Sequence, residues 1–244
     1  TIFRYPGFTY AVVAFGLAYG AYFAGTVVVP QWLQSTMNFS ATQAGMATAL
    51  QAIMACVAAM LVPRLMPRCD LRVLVSVGIA WVGVVAVLRA GWSTGSDYGA
   101  IAWPLFLQGF GIPLMGIPLT TMSLAAVRPE EVPSAAGLQT FIRTMALAMS
   151  TSLSMTIWGK QQRVSQTEIA GSLHPEAAET TLGGLGMGLD QIRQIVAGMV
   201  EKETVTTAMD ELFWITGSIL FLAALLVLLA PKPKNALAGD VVAH

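Results

Sequence analysis

The sequence is poor in charged residues. Only 11% of its 244 residues are Asp, Glu, Lys or Arg, whereas a soluble domain carries about 25%. Hydrophobic residues make up 55% of the chain, and the mean hydropathy is +0.67. This composition excludes an ordinary soluble domain and places the chain in a membrane. The formal net charge is zero, so there is no electrostatic case for nucleic-acid binding.

Residues that perform chemistry are also scarce. The chain has two cysteines, Cys56 and Cys69, without CxxC or metal-ligand spacing, and two histidines, His174 and His244. No Ser/His/Asp set can be assembled from them, so the sequence predicts neither an enzyme nor a metal site. The first residues, TIFRYPG, lack the basic region of a signal peptide, so we expect no cleaved leader.

Long apolar runs are abundant. A membrane helix needs about 20 apolar residues, and six stretches qualify: 8–33, 42–63, 71–92, 98–127, 134–158 and 212–230. The sequence therefore predicts an all-α membrane protein with six transmembrane helices. Its expected segments are five membrane helices within 1–158, a periplasmic link with an amphipathic helix over 159–211, the last membrane helix over 212–231 and a cytoplasmic tail over 232–244. The amphipathic helix is expected to lie on the protein's own outer surface, with a docking face for a partner as the alternative.

The distribution of basic residues predicts the orientation. Seven Lys or Arg residues fall in the N-terminus, the second and fourth links and the tail, namely Arg4, Arg64, Arg68, Arg72, Arg128, Lys232 and Lys234. The opposite short links contain only Arg89. By the positive-inside rule both ends of this chain are expected in the cytoplasm.

The first and fourth spans have the composition of a cavity wall. In the first span, Gly16 and Gly20 predict close approach of a neighbouring helix. The fourth span has three prolines, three glycines and one strongly polar residue between Trp103 and Leu124, which favours a bent gating helix over a rigid anchor. The aromatic rings of the first span are expected to face a cavity, with packing against lipid and neighbours as the alternative: Phe15, Tyr19, Tyr22 and Phe23. In a transporter these four residues, together with Gln108 and Met115, would line the substrate path. Pro113 and Pro118 are the candidate gating prolines.

Arg143 interrupts the apolar run 138–158. It lies about nine residues from the predicted cytoplasmic end of its helix, or roughly 13 Å, close to half the thickness of the hydrocarbon core. Gln139 and Thr144 are near it on the helix surface, so this face is expected to point into the bundle. Arg143 either ties helices together or faces the transport path. No carboxylate lies in the middle of any span, although a proton-driven transporter needs a titratable group there.

Three stretches carry a family resemblance: SATQAG, PRLMPRCDLR and WPLFLQGFGIPLMGIPLTTMSLAAVRPEEVPSAAGLQTFIRT. They resemble the C-terminal half of the drug:proton antiporters of the major facilitator superfamily, in the EmrB-type fourteen-helix branch. The stretch PRLMPRCDLR is similar to the family's cytoplasmic loop G-x-x-x-D-R-x-G-R. Arg64, Arg68 and Arg72 remain there, but its glycines are absent.

The resemblance implies two six-helix bundles with two extra helices between them, of which this chain supplies the second. The proton-carrying acid then lies in the missing N-terminal bundle, and the proton gradient replaces a cofactor. The resemblance also implies hydrophobic or cationic drugs as substrates and a location in the bacterial inner membrane. A periplasmic adaptor (membrane fusion) protein and an outer-membrane channel are the implied partners, with residues 159–211 as the contact.

Two alternatives remain open from the sequence. One is a transporter of the same fold that carries a polar nutrient or siderophore. The apolar, Met-rich and aromatic spans argue against it. The other is a six-helix membrane subunit that does not transport and serves in assembly, because an isolated bundle cannot alternate between two open states.

Overall fold

The structure, a computed structural model, describes residues 4–172 and 189–229. These residues form six α-helices: α1 (Pro6–Ser35), α2 (Ala41–Leu65), α3 (Leu71–Arg89), α4 (Tyr98–Leu124), α5 (Val132–Ser172) and α6 (Leu189–Leu229). A short 3-10 helix, Pro129–Glu131, connects α4 to α5. The described residues contain no β-strand, and the predicted all-α fold is confirmed.

Polar side chains fix where α2 and α3 begin. Ser40 Oγ accepts a hydrogen bond from the backbone N–H of Gln43 (3.2 Å), and Gln43 Oε1 accepts one from the backbone N–H of Ser40 (2.9 Å). Asp70 accepts a hydrogen bond from the backbone N–H of Arg72 (3.1 Å) at the start of α3. The first N–H groups of a helix have no partner within it, so these caps set the helix boundaries locally.

The helices pack as one bundle. α4 lies between α2 and α3, α6 lies between α3 and α1, and α5 runs along α1. The end that carries the α1–α2 and α3–α4 links, here called the predicted outer end, has a cluster that includes Trp32, Trp92 and Phe213. The opposite end has a cluster that includes Phe8 and Ala135. A larger central cluster lies between the two along α1, so apolar clusters follow one another along the bundle.

Glycines bring α4 close to two neighbours. A Cβ on Gly109 would collide with the backbone oxygen of Gln51 in α2. A Cβ on Gly78 in α3 would lie 2.6 Å from the backbone of Leu114, and one on Gly111 would lie 3.0 Å from the Gly78 carbonyl oxygen. The glycines of the fourth span therefore serve close helix packing. α4 is one continuous helix that includes the prolines of the span.

The predicted GxxxG approach at α1 is confirmed. Ser150 in α5 donates a hydrogen bond to the carbonyl oxygen of Gly20 (2.7 Å). A Cβ on Gly20 would lie 3.2 Å from Ser150 Oγ, and one on Gly16 would lie 3.3 Å from Ile142. The small residues of α1 therefore seat α5 directly against the α1 backbone.

Five helices are long and apolar enough to cross a membrane, within the part of the chain that the structure describes: α1, α2, α3, α4 and residues 201–229 of α6. The predicted fifth span is a helix, α5, but it is more polar than these five. Several of its threonine hydroxyls donate to the carbonyl oxygen four residues earlier, as Thr144 does to Thr140 (3.0 Å) and Thr151 to Leu147 (2.8 Å). Because these hydroxyls are satisfied within the helix, α5 can lie beside α1 in an apolar environment.

The predicted segment boundaries at 158 and 212 are not helix ends. α5 continues beyond residue 158 to Ser172, and α6 joins the predicted amphipathic segment to the last span in one helix of 41 residues. Residue His174 and the predicted tail 232–244 fall outside the described residues. The same holds for most side chains of the predicted amphipathic face at 189–200.

Candidate functional site

A wide cavity opens between α1, α2 and α4 on one side of the bundle. Its volume is about 680 Å³, within the range of about 300–1,000 Å³ that suits a drug-sized molecule. Its lining is mostly apolar and small, with one aromatic ring and two hydroxyls on α4: Tyr19, Ala52, Ala55, Cys56, Ala59, Ile112, Pro113, Gly116, Ile117, Thr120 and Thr121. We call it the wide cavity.

The aromatic residues of α1 form a continuous row beside the wide cavity. Phe15 stacks on Tyr19 with ring centroids 4.4 Å apart, Tyr19 lies 5.8 Å from Phe23, and Phe23 lies 5.3 Å from Tyr22. Tyr22 and Phe23 are partly exposed. Phe15 and Met115, predicted with them to line a path, are instead buried in the central cluster. In this conformation they contribute packing.

Arg143 lies at the edge of this aromatic row, and its side chain is exposed. Its guanidinium carbon is 4.9 Å from the centroid of the Tyr19 ring and 6.0 Å from that of Phe23. Such a cation–π contact at an exposed position is worth about 0.5–1 kcal/mol. Among the described residues, the Arg143 guanidinium contacts these two rings and forms no ion pair with a carboxylate.

Of the other residues predicted for the polar core, three are buried and one is exposed. Gln139 is buried and donates a hydrogen bond to Thr120 Oγ1 (3.4 Å), which ties α5 to α4. Thr144 is exposed beside Arg143. Pro113 and Pro118 are buried in α4, and Pro113 also borders the wide cavity.

A second, smaller cavity lies nearer the predicted outer end, and we call it the Arg89 cavity. Its volume is about 170 Å³. Its walls come from α1, α2, α3 and α4: Gly25, Thr26, Val29, Pro30, Thr48, Gln51, Arg89, Leu105 and Gln108. Arg89 is only 1% exposed and donates a hydrogen bond from Nη2 to Gln108 Oε1. Its guanidinium carbon is also 5.7 Å from the centroid of the Trp92 ring and 5.8 Å from that of Phe213.

Sequence reasoning missed Arg89, because it was counted among the residues of an exposed link. The structure places it in the last turn of α3, inside the bundle. The signal was present: a buried charge is costly, and that argument was applied only to Arg143. Gln108 was selected as the one polar residue of its span, and its partner proves to be Arg89.

One hydrogen bond lies between the two cavities. Gln51 Nε2 donates to the Tyr22 hydroxyl (2.6 Å) and so joins α2 to α1. Along α1, Tyr22 falls between Tyr19 of the wide cavity and Thr26 of the Arg89 cavity. The pair therefore stands where the two cavities adjoin.

Arg64, Arg68 and Arg72, predicted to belong to a cytoplasmic loop, line neither cavity. Arg64 and Arg68 are exposed. Arg72 is partly buried, and its Nε and Nη2 have no hydrogen-bond partner within the described ranges. The residues that the structure describes contain no group of three or more His, Cys, Asp or Glu that could hold a metal ion.

No family model matches the sequence. Among curated proteins, the whole chain is 31% identical to the multidrug export protein EmrB of Escherichia coli strain K12 and covers 49% of that protein. It is 26% identical to the probable multidrug resistance protein EmrY of the same strain over 97% of the chain and 47% of EmrY. It is 25% identical to the fatty acid resistance protein FarB of Neisseria gonorrhoeae over 96% of the chain and 47% of FarB.

The apolar helices and these relatives define a multi-pass, all-α membrane protein. Over its whole length the chain is similar to part of the EmrB-type multidrug export proteins, which confirms the resemblance read from the sequence. The chain spans about half the length of the curated relatives that it matches.

Proposed function

We propose that this chain is one helical bundle of a proton-coupled exporter of hydrophobic drugs in the bacterial inner membrane. The observation that carries the proposal is the wide cavity: it is drug-sized, mostly apolar and open on one side of the bundle. A surface of this kind needs a second wall before it can enclose a substrate. The relatives are twice as long as this chain, so a second bundle is the natural source of that wall.

The exposed faces of α2 and α5 support this arrangement. Only 17% of the apolar window of α2 is buried, compared with 56% for α1, α3 and α4. The exposed residues include small or hydroxyl side chains as well as large apolar ones, such as Ala52 and Cys56 on α2 and Thr144 and Ala148 on α5. Small residues allow close packing between membrane helices. The missing N-terminal bundle is therefore proposed to pack against α2 and α5 and to close the wide cavity.

The proton-carrying acid is proposed to lie in that bundle. Arg143 then faces the shared passage, held against Tyr19 and Phe23. Transport follows when the two bundles rock about the wide cavity and expose it to each side in turn. Both ends of this chain are proposed to be cytoplasmic, as the basic residues predict.

The long helices α5 and α6 support a role outside the bilayer. Each has 41 residues, or roughly 60 Å of helix, whereas the hydrocarbon core is about 30 Å thick. Their ends near residues 172 and 189 are proposed to reach a periplasmic adaptor protein, which links the transporter to an outer-membrane channel. Deletion of residues 173–188 from the full-length protein is expected to abolish co-purification of the adaptor and to leave membrane insertion intact. Undiminished co-purification would exclude this contact.

The proposed function is tested by export from vesicles that contain the full-length protein. Tetraphenylphosphonium is expected to be exported while a proton gradient is present, and an ionophore that abolishes the gradient is expected to stop export. Arg143→Ala is expected to abolish export while the amount of inserted protein is unchanged. Arg128→Ala is the control, because Arg128 is exposed and lies outside the spans. Full export by Arg143→Ala would reduce this arginine to a packing residue, and export by this chain alone would refute the two-bundle mechanism.

The native cysteines provide a second test. Cys56 borders the wide cavity, whereas Cys69 is exposed in the α2–α3 link. Bound tetraphenylphosphonium is expected to slow the reaction of N-ethylmaleimide with Cys56 and to leave the reaction at Cys69 unchanged. Equal rates with and without the drug at Cys56 would place the substrate elsewhere.

A further inference from the structure

The Arg89 cavity contains a positive charge that the described residues do not neutralise. Arg89 is 1% exposed, and burial of a cation without a partner is costly. Its one hydrogen bond there goes to a neutral amide, Gln108. Glu211 and Asp210 are the acidic residues nearest to Phe213 along α6. Neither forms an ion pair with Arg89 among the described residues, and the buried Oδ1 of Asp210 has no hydrogen-bond partner there.

The Arg89 guanidinium has N–H groups beside the cavity that do not donate to Gln108. Nε of Arg89 is buried and has no hydrogen-bond partner among the residues that the structure describes. Nη1 lies 3.8 Å from the position that a Cβ on Gly25 would occupy, and Gly25 lines the cavity. A buried donor without a partner in a polar cavity indicates a site for a ligand or for water. Thr26, Thr48 and Gln51 supply further hydrogen-bonding groups around the same space.

The dimensions decide what kind of ligand fits. A volume of about 170 Å³ is smaller than the roughly 300 Å³ that a whole drug-sized molecule needs. It is sufficient for a carboxylate group, and charge-assisted hydrogen bonds from arginine match that group well. Gln51 lines the Arg89 cavity and its neighbour Ala52 lines the wide cavity, so the wide cavity lies within reach of the apolar remainder of such a molecule.

We propose that Arg89 and Gln108 form an anion subsite that binds the carboxylate of an amphipathic substrate whose apolar part occupies the wide cavity. This inference rests on the proposed function, because it assigns a substrate class to the same passage. It makes the protein a carrier of lipophilic acids in addition to neutral and cationic compounds.

A purely structural role for Arg89 predicts something different. The rings of Trp92 and Phe213 lie near its guanidinium, and a cation in the last turn of α3 is favoured by the helix dipole. If these contacts are its whole purpose, the charge of a ligand makes no difference to binding. The experiment must therefore compare two ligands that differ only in charge.

Dansyl-undecanoic acid and its methyl ester form such a pair, and their binding to the purified full-length protein is measured by dansyl fluorescence. The wild-type protein is expected to bind the acid more tightly than the ester. Gln108→Glu places an internal carboxylate beside Arg89 with almost no change in shape. The ratio of acid to ester affinity is expected to fall by about tenfold in this variant, as the loss of a charge-assisted contact implies.

A second variant and a control complete the test. Arg89→Gln is expected to lower the same ratio, and Gln108→Glu keeps the test valid if Arg89→Gln fails to fold. Arg128→Gln removes an exposed arginine outside the spans and is expected to keep the wild-type ratio. A wild-type protein that prefers the ester overturns the proposal, and so does an unchanged ratio in Gln108→Glu. Binding requires no proton gradient, so a failure of export would count against the proposed function and leave this inference standing.

Discussion

The Arg89 cavity and the wide cavity each have an arginine beside aromatic rings. Arg89 is fully enclosed near Trp92 and Phe213. Arg143 lies over Tyr19 and Phe23 but is exposed. The first is surrounded by four helices of its own bundle, and the second is on an open face of the bundle. The same contact thus serves an enclosed polar site in one region and an open surface in the other.

The largest expected effect is the difference in stability between variants at the two arginines. Arg89→Ala removes a buried side chain and leaves Gln108 Oε1 without its donor, so we expect a loss of about 3 kcal/mol in the free energy of unfolding. Arg143→Ala is expected to leave the midpoint of thermal unfolding almost unchanged, because its side chain is exposed. Tryptophan fluorescence of the purified protein during heating measures both. Equal losses of stability in the two variants would contradict the difference in burial between Arg89 and Arg143.

The next effect concerns the helix contact that positions Gln51. Gly109→Ala forces a Cβ into the backbone of α2 at Gln51, and overpacking of this kind costs about 1–3 kcal/mol. Thermal unfolding is expected to occur at a lower temperature. Gly45→Ala is the control, since a Cβ at that position in α2 meets no atom within 4 Å. A Gly109→Ala variant as stable as the control would show that α2 and α4 can separate freely.

A smaller effect is expected where the two cavities adjoin. Tyr22→Phe removes the hydrogen bond with Gln51 (2.6 Å) at a cost of about 1 kcal/mol in stability. The boundary between the cavities then opens, so dansyl-undecanoic acid is expected to dissociate faster in stopped-flow fluorescence. Tyr10→Phe, an exposed tyrosine of the same helix, provides the comparison. Unchanged dissociation in Tyr22→Phe would mean that this pair does not separate the cavities.

The smallest effect tests how α5, which carries Arg143, is attached. Ser150→Ala removes the hydrogen bond to the Gly20 carbonyl (2.7 Å) and is expected to lower stability by about 0.5–1.5 kcal/mol. Ser152→Ala alters an exposed serine of the same helix and is expected to have no measurable effect. The midpoint of thermal unfolding distinguishes them. A greater loss in Ser152→Ala would contradict the placement of α5 against α1.

Much of the fold follows from local sequence. Ser40 with Gln43, and Asp70 alone, set the starts of α2 and α3. Gly16 and Gly20 correctly predicted a close helix neighbour. The sequence prediction treated α5 like the other spans, although α5 is more polar. Hydropathy alone does not show which hydroxyls donate hydrogen bonds to the helix's own backbone, as the Thr144 hydroxyl does.

The candidate site was harder to predict. Tyr19 borders the wide cavity, and Tyr22 bonds to Gln51 of the Arg89 cavity, whereas Phe15 and Met115 line neither cavity and are buried in the central cluster. Their place in a substrate path stays a prediction. Hydrophobic residues suit a pocket and a core equally well, so their type could not distinguish the two. Arg89 was not predicted as a site residue, because in the sequence it lies next to the link between α3 and α4.

The sequence by itself determined that this protein is a helical membrane protein, since the hydropathy of each span and the caps of each helix are local properties. Only the tertiary structure decided which arginine is enclosed and which is exposed. Burial depends on what distant segments bring: Gln108 from α4 and Phe213 from α6 meet Arg89 at the end of α3. No local pattern encodes that meeting, because it arises when the helices pack.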